Sequence, residues 1–472
     1  MIAETNRRLC RNRRLPRRRR EIGKPVTNRS DRRRVSPHRC VTSGRANVVT
    51  SILSPECAVP DPSSSDLTPS CAVTTGPRAA LDVLCAFLVL GLTSFGGPVA
   101  HIGYFRREFV TRRRWLDDAS FVDLVGLCQF LPGPASSQVG FSIGLLRAGW
   151  LGGLAAWCGF TLPSVGLLLL FAVLAPHLGG TVGDGVIHGL KLVAVAVVAQ
   201  AVWDMAKRLC ADVRRAGIAL AAIVILTMTT TVFAQLIAIV FGAVLGYGLL
   251  RSSNAAQVSP SAPTLHFCIS RTASVLSFVL FATLLAGLPL LHQWTNGRAV
   301  AIFDGFYRSG ALVFGGGHVV LPLLQAQTVT TGWVSANDFL TGYGAAQAVP
   351  GPLFTFASYL GWMSGAPSHS WLGAALATLG IFLPGLLLVI AALPHWQTLR
   401  ARASTAAMLA GVNAAVVGIL ASALYSPVWT SAVHSVADVA LAVVSFVLLV
   451  RWKTPPLAIV ALCVIAGATG LA

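Results

Sequence analysis

The segment LCQFLPGPASSQ, residues 127–138, breaks an apolar run at Pro132-Gly133-Pro134, and a related segment, AAQAVPGPLF, follows at residues 345–354. Proline removes a backbone donor and glycine adopts conformations that other residues avoid, so each segment predicts a helix broken into two arms. The arms are too short to cross a hydrocarbon core of about 30 Å. We therefore expect broken or re-entrant helices at both positions.

A second interrupted motif also occurs twice, as FGGPVAHIGYF at residues 95–105 and FGGGHVVLPLL at residues 314–324. Between the two motifs of each copy, Trp115 matches Trp333 and Phe121 matches Phe339; beyond them, Pro163 matches Pro384. Order and spacing are kept throughout. The chain therefore contains an internal duplication, which is typical of transporters built from repeats.

The composition excludes a soluble domain. Hydrophobic residues make up 54% of the 472 residues, charged residues only 11%, and the mean hydropathy is +0.70. Residues 150–175, 186–203, 275–291 and 371–393 are each long and apolar enough to span a bilayer. The lipid bilayer is therefore a predicted partner.

Loop charges predict that the two halves have opposite orientations. Residues 105–118 carry five arginines, whereas the equivalent residues 323–338 carry no Lys or Arg. Residues 204–217 carry four Lys and Arg, whereas their counterpart, residues 426–438, carries none. Arg400 and Arg402 lie in a loop whose counterpart, residues 175–189, has no Lys or Arg. Short cytoplasmic loops are enriched in Lys and Arg. We therefore predict an all-α polytopic membrane protein with two inverted-topology repeats.

The predicted domain boundaries follow from this duplication. Residues 79–250 form the first repeat, residues 251–294 a linker with a connecting transmembrane helix, and residues 295–472 the second repeat. Residues 1–78 hold 17 Lys and Arg against 6 Asp and Glu, and they read as a disordered basic tail. A start codon placed too far upstream is the alternative, since Met205 is the first methionine after Met1. The tail lacks a nucleic-acid-binding module, so no nucleic acid is predicted as a partner.

The breaks are the predicted binding site. Half-helices that start after a break direct positive dipole ends and open N–H groups inward, where an anion would be stabilised. The alternative is that the small residues only permit tight helix packing. The candidate backbone residues are Phe95, Gly96, Gly97, Pro132, Gly133, Pro134, Gly315, Gly316, Gly317, Pro350, Gly351 and Pro352.

Polar side chains near the breaks complete the candidate set, because such groups are costly within a membrane and mark pathways. Gln129, Gln138 and Gln347 would bind an oxyanion or satisfy a broken-helix carbonyl. His101 and His318 are candidates for proton coupling, or are interfacial residues that are satisfied locally.

Two cations are further candidates for attracting an anion. Arg308 would bind it directly or instead pair with Asp304 at i,i+4, and Lys191 would bind it or extend to the interface.

Enzymatic and ATP-driven functions are not supported by the motifs. The chain has no HExxH, GxSxG or GxxxxGK[ST] sequence and no CxxC pair among its ten cysteines. We expect no catalytic residue, no metal and no cofactor. A passive anion channel stays open as an alternative, because broken helices also line channels.

The two FGG segments, together with LCQFLPGPASSQ and AQAVPGP, closely resemble the chromate ion transporter family in its long, two-domain form, over roughly residues 80–472. The resemblance implies a multi-pass inner-membrane (plasma-membrane) protein that exports chromate, driven by the proton gradient, and gives chromate resistance. Sulfate or another oxyanion, moved in either direction, is the alternative substrate. A homodimer is compatible with the sequence.

Overall fold

The computed structural model describes residues 76–177, 180–229, 234–254, 269–295, 297–314, 317–365, 369–396 and 403–471. All regular structure within these ranges is helical, which confirms the all-α prediction. Residues 1–75 of the predicted tail, Gly315, Gly316, Arg400 and Arg402 lie outside the described residues.

The first part of the chain forms seven of the helices. They are α1 (Pro77–Thr93), α2 (Gly97–Phe105, continued by a π-helical turn Arg106–Arg112), α3 (Asp118–Phe130), α4 (Ala135–Leu174), α5 (Gly180–Leu209), α6 (Val213–Met228) and α7 (Ala234–Asn254).

The remaining part follows the same order after one additional long helix. The helices are α8 (Arg271–Thr295), α9 (Arg298–Ala311), α10 (Val320–Thr328, after a 3-10 turn Gly317–Val319), α11 (Ala336–Ala348), α12 (Phe356–Ser364, after a 3-10 turn Leu353–Thr355), α13 (Ser370–Ala392), α14 (Ala403–Ala423), α15 (Val436–Arg451) and α16 (Pro456–Ala468).

Six helices among the described residues are long and apolar enough to cross a membrane. The predicted spans 150–175, 186–203, 275–291 and 371–393 lie on α4, α5, α8 and α13. Apolar side chains on α8, including Leu276 and Phe278, are exposed on the surface of the protein, as lipid-facing residues are. These helices confirm a polytopic membrane protein.

Helices α1 and α2 form a hairpin with the FGG break at its tip. Arg113, just after the second arm, pairs with Asp82 in the first turns of α1 at 2.7 Å, so the chain returns to the end where it entered. The rings of Phe87 and Phe109 stack between the arms at 4.8 Å. The segment around the first FGG motif is therefore a helical hairpin, and its re-entrant course in the membrane stays a prediction.

Helix α3 and the start of α4 form a second hairpin with Pro132-Gly133-Pro134 at its tip. The backbone of α4 leaves helical geometry at Ala148 and Gly149. Gly144 and Gly152 then lie face to face, although eight residues of straight helix would separate them by about 12 Å. Helix α4 is therefore two antiparallel arms, residues 135–147 and 150–174, and the second is the spanning one.

Residues 105–118, which form the arginine-rich end, join the two hairpins of the first repeat. Arg106 makes a bidentate contact with Asp118 at 2.6 and 3.0 Å, and this contact lowers the pKa of the Asp118 carboxyl. Arg147, at the end of the first arm of α4, lies over the ring of Trp115. Both hairpins therefore start and end at one side of the molecule.

The second repeat has the same construction. Arg298, at the start of α9, donates to the carbonyl oxygen of Ser364 at 2.9 Å and lies over the ring of Trp333 at 4.5 Å. Gly361 and Gly373 face each other in the same way as Gly144 and Gly152. The start of α9 therefore lies beside the end of α12 and beside Trp333, which stands between α10 and α11. The two hairpins of this repeat thus also start and end at one place.

Candidate functional site

The tips of the hairpins from the two repeats meet through two reciprocal hydrogen bonds. The backbone N–H of Gly133 donates to the carbonyl oxygen of Val313 at 2.8 Å, and that of Gly351 donates to the carbonyl oxygen of Ser94 at 2.9 Å. Each bond joins the PGP tip of one repeat to the residue just before the FGG motif of the other. All four breaks therefore converge on one place within the protein.

Two side chains on neighbouring helices reinforce this junction. Gln138 Nε2 donates to the carbonyl oxygens of Pro132 at 3.0 Å and Gly385 at 2.9 Å, and Ser164 Oγ donates to that of Pro350 at 2.5 Å. Ser164 and Gly385 each follow the paired helix prolines Pro163 and Pro384. The spanning arm of one repeat thus supports the PGP tip of the other.

Glycine is required at the PGP tips for two reasons. Gly133 has φ +119° and Gly351 has φ +102°, in the region that side chains disfavour. A Cβ on Gly133 would lie 2.9 Å from the Cα of Gly385, and one on Gly351 would collide with Ser164 Oγ. The tips therefore hold backbone groups closer together than any other residue permits.

Helix N-termini face the junction without side-chain caps. Helix α2 starts after Gly96, α4 starts after Pro134, and neither receives a hydrogen bond from an N-cap side chain. Their first N–H groups and positive dipole ends lie next to the tips. Such an arrangement favours a negatively charged ligand.

Buried polar atoms near the tips have no hydrogen-bond partner among the described residues: Ser94 Oγ, Ser137 Oγ, Gln138 Oε1 and His101 Nδ1. Buried polar atoms are normally paired, so a group of unpaired ones marks a place for water or a polar ligand. Ser94, Ser137 and Ser164 were missed by the sequence reasoning. Their positions directly before FGG, within LPGPASSQ and beside Pro163 were the available signals.

The two candidate histidines have different surroundings. His101 is fully buried, and its Nε2 lies 3.2 Å from the carbonyl oxygen of Ser94, which also accepts from Gly351. His318 is partly buried and shares a 2.7 Å hydrogen bond with the hydroxyl of Tyr343. Only His101 is therefore linked directly to a bond between the repeats.

The remaining candidate side chains, two glutamines and two cations, do not share one location. Gln129 is exposed near the end of α3, and Gln347 is half-buried near the end of α11. Lys191 is half-buried on α5 and makes no hydrogen bond or ion pair among the described residues. Arg308 pairs with Asp304 at 2.6 Å, as the i,i+4 alternative predicted.

The described residues contain no group of His, Cys, Asp and Glu arranged to hold a metal ion. Helix ends, backbone donors and neutral polar side chains make up the junction. This chemistry suits an oxyanion that is bound and released unchanged.

Comparison with known proteins decides the family. The family model for the chromate transporter matches residues 81–247 and 300–468, which together cover more than half of the chain. The chain belongs to the chromate transporter family. This transporter is thus a multi-pass inner-membrane protein and not an enzyme.

Curated relatives span most of the chain. It is 29% identical to a chromate transport protein of Pseudomonas aeruginosa over 352 residues, which are 73% of this chain and 80% of that protein. It is 26% identical to a chromate transport protein of Cupriavidus metallidurans over 399 residues, 83% of this chain and 93% of that protein. An uncharacterised transporter of Methanocaldococcus jannaschii is 24% identical over 327 residues, 68% and 78% of the two chains. No solved structure matches the chain.

Proposed function

We propose that this transporter exports chromate by proton-coupled alternating access, with the oxyanion bound where the four breaks meet. The supporting observation is the reciprocal pair of hydrogen bonds, Gly133 N–H to Val313 and Gly351 N–H to Ser94. The names of the two chromate transport relatives support the substrate. The bound anion would use the same N–H groups and the uncapped starts of α2 and α4.

In this proposal the binding site is closed while both hydrogen bonds between the repeats are made. Each N–H now donates to a carbonyl oxygen of the other repeat, so it is free for an anion only after that bond opens. A dianion is a stronger acceptor than a carbonyl oxygen, because charge-assisted hydrogen bonds are about twice as strong as neutral ones. Chromate binding and movement of the repeats are therefore linked through the same donors.

An inverted arrangement of the repeats supports alternating access. Helix α8 lies between the repeats, and Ser274 near its start donates to the carbonyl oxygen of Ala391 at the end of α13. Arg298 begins α9 directly after the opposite end of α8, and its side chain lies over the ring of Trp333. In this proposal the hairpins of the second repeat enter from the side opposite the arginine-rich end, and rocking around the tips exposes the site alternately.

His101 is the proton carrier in this proposal. Its Nε2 donates to the carbonyl oxygen of Ser94, which leaves Nδ1 as the nitrogen that takes up a proton. A protonated His101 ring would polarise the carbonyl of Ser94, which also accepts from the N–H of Gly351. Protonation would therefore act on the bond that must open.

The test is chromate flux in inverted membrane vesicles that contain the full chain, with the proton gradient intact or collapsed by an uncoupler. We expect gradient-dependent chromate accumulation, which in inverted vesicles corresponds to export. Flux that is unchanged after the gradient is collapsed would indicate a passive channel. Movement of sulfate without chromate would reject chromate as the substrate while keeping an oxyanion transporter.

A further inference from the structure

A cavity of about 440 Å³ lies in the second repeat, and no residue of the FGG or PGP motifs is among its lining residues. One face of α9 lines it with Asp304 and Arg308, α10 lines it with Gln327, and the stacked side chains of Arg298 and Trp333 also line it. His292 at the end of α8 completes the ring of polar groups. We name this cavity the vestibule; its lining residues are His292, Arg298, Ala301, Asp304, Arg308, Ala326, Gln327, Thr330, Thr331 and Trp333.

The charges around the vestibule are only partly balanced. Arg308 Nη2 donates to Asp304 Oδ2 at 2.6 Å, whereas Arg298 donates to the backbone carbonyl of Ser364 and to no carboxylate among the described residues. Two arginines thus face one carboxylate, and His292 adds a basic group. The cavity therefore favours an anion.

Three buried atoms of the vestibule lack a hydrogen-bond partner among the described residues. They are Arg308 Nε, His292 Nδ1 and Asp304 Oδ1, and the Asp304 side chain is only 1% exposed. Arg308 Nε is a donor that a tetrahedral oxyanion in the cavity would satisfy, and His292 Nδ1 is one when it carries the ring proton, whereas Asp304 Oδ1 is an acceptor. Thr330 and Thr331 also line the cavity, but the Thr331 hydroxyl already donates to the carbonyl oxygen of Gln327 at 2.6 Å.

The first repeat has no equivalent charge pair. The positions that match Asp304 and Arg308 are Cys85 and Val89 on α1. Although Trp115 matches Trp333, the two arginines over its ring are Arg113 and Arg147, and neither comes from the start of the hairpin as Arg298 does. The vestibule is thus an asymmetric feature in a molecule whose central junction is nearly symmetric.

We propose that the vestibule is a second oxyanion site, at which Arg308 exchanges Asp304 for a tetrahedral dianion on its way to or from the tips. The proposal rests on the proposed function, because it takes the anion to be the transported one. Arg308 is in the last turn of α9, which ends at Ala311, two residues before Val313, so a dianion here lies close to the junction along the chain.

The test measures chromate binding to the purified full-length protein by equilibrium dialysis, with sulfate as competitor. We expect Arg308→Gln in an Asp304→Asn background, which avoids an unpaired buried carboxylate, to weaken chromate binding about ten-fold. Asp304→Asn alone should tighten it several-fold, because Arg308 no longer has an internal partner. A merely structural ion pair would give no such gain.

A matched variant separates the vestibule from the central site. Gly351→Ala should lower vesicle flux and leave vestibule binding measurable, since Gly351 is not among the lining residues. Unchanged binding in both vestibule variants, with normal flux, would overturn the vestibule and leave the proposed function intact. Asp304→Asn that lowers both binding and thermal stability would also overturn it. Sulfate binding at the vestibule without chromate flux would instead overturn the chromate assignment alone.

Discussion

Gly133 and Gly351 are the residues on which the junction depends most directly. Replacing either by alanine adds a Cβ at positive φ, which costs about 1–2 kcal/mol, and places it against Gly385 or Ser164. We expect each variant to lose chromate flux at least ten-fold while its level in the membrane stays normal. Vesicle flux normalised to immunoblot signal measures both quantities.

The matched control is Gly166→Ala, on the spanning arm of α4, where a Cβ meets no other atom within 4 Å. Its flux should equal that of the parent chain. Normal flux in Gly133→Ala and Gly351→Ala would contradict the placement of the site at the tips.

Ser164 and Gly351 should show energetic coupling. Ser164→Ala leaves the carbonyl oxygen of Pro350 without its side-chain donor, which costs about 1–3 kcal/mol, but it also removes the oxygen against which a Cβ on Gly351 collides. The double variant should therefore be more stable than the sum of the two single variants by about 0.5–3 kcal/mol. Thermal unfolding in detergent measures the four members of the cycle, and strict additivity would contradict this geometry.

At the scale of elements, helices α7 and α14 pack through glycines. A Cβ on Gly246 would collide with the backbone of Ala407 and Gly411 on α14, whereas a Cβ on Gly248, two residues later on the same helix, meets nothing within 4 Å. Small residues allow transmembrane helices to approach closely. We therefore expect Gly246→Leu to destabilise the protein by about 1–3 kcal/mol or more.

Gly248→Leu supplies the control for this pair of helices, because the added side chain extends into free space. Its melting temperature in detergent should stay at the parent value. Equal melting temperatures for the two leucine variants would show that the α7–α14 contact does not depend on glycine.

For the whole molecule, inversion of the repeats predicts opposite exposure of two equivalent loops. Arg107 and Asn337 are both exposed at the hairpin ends of their repeats. Arg107→Cys should react with a membrane-impermeant maleimide only from the cytoplasmic side, and Asn337→Cys only from the outer side. Labelling of intact cells and of inverted vesicles, each compared with the parent chain and its native cysteines, reads the result. Reaction of both positions from the same side would reject inversion.

Sequence reasoning predicts the helical class, the long spans on α4, α5, α8 and α13, and the breaks at FGG and PGP. These features are local: apolar length sets a span, and proline or glycine interrupts a helix whatever packs around it. The backbone residues of the candidate site followed from the same breaks. Arg308 was also paired correctly with Asp304, since i,i+4 neighbours meet on any helix.

Which groups meet at the centre depends on how the helices pack and cannot be read from the sequence. The bonds from Gly133 to Val313 and from Gly351 to Ser94 join the two repeats across long stretches of chain, and no local period encodes such a pairing. The supporting roles of Ser164 and Gln138, and the vestibule beside Arg308, likewise arise from helices brought together by packing. A serine on an apolar helix has the same appearance in sequence whether it bonds its own helix or the tip of another, because the partner is chosen by the fold.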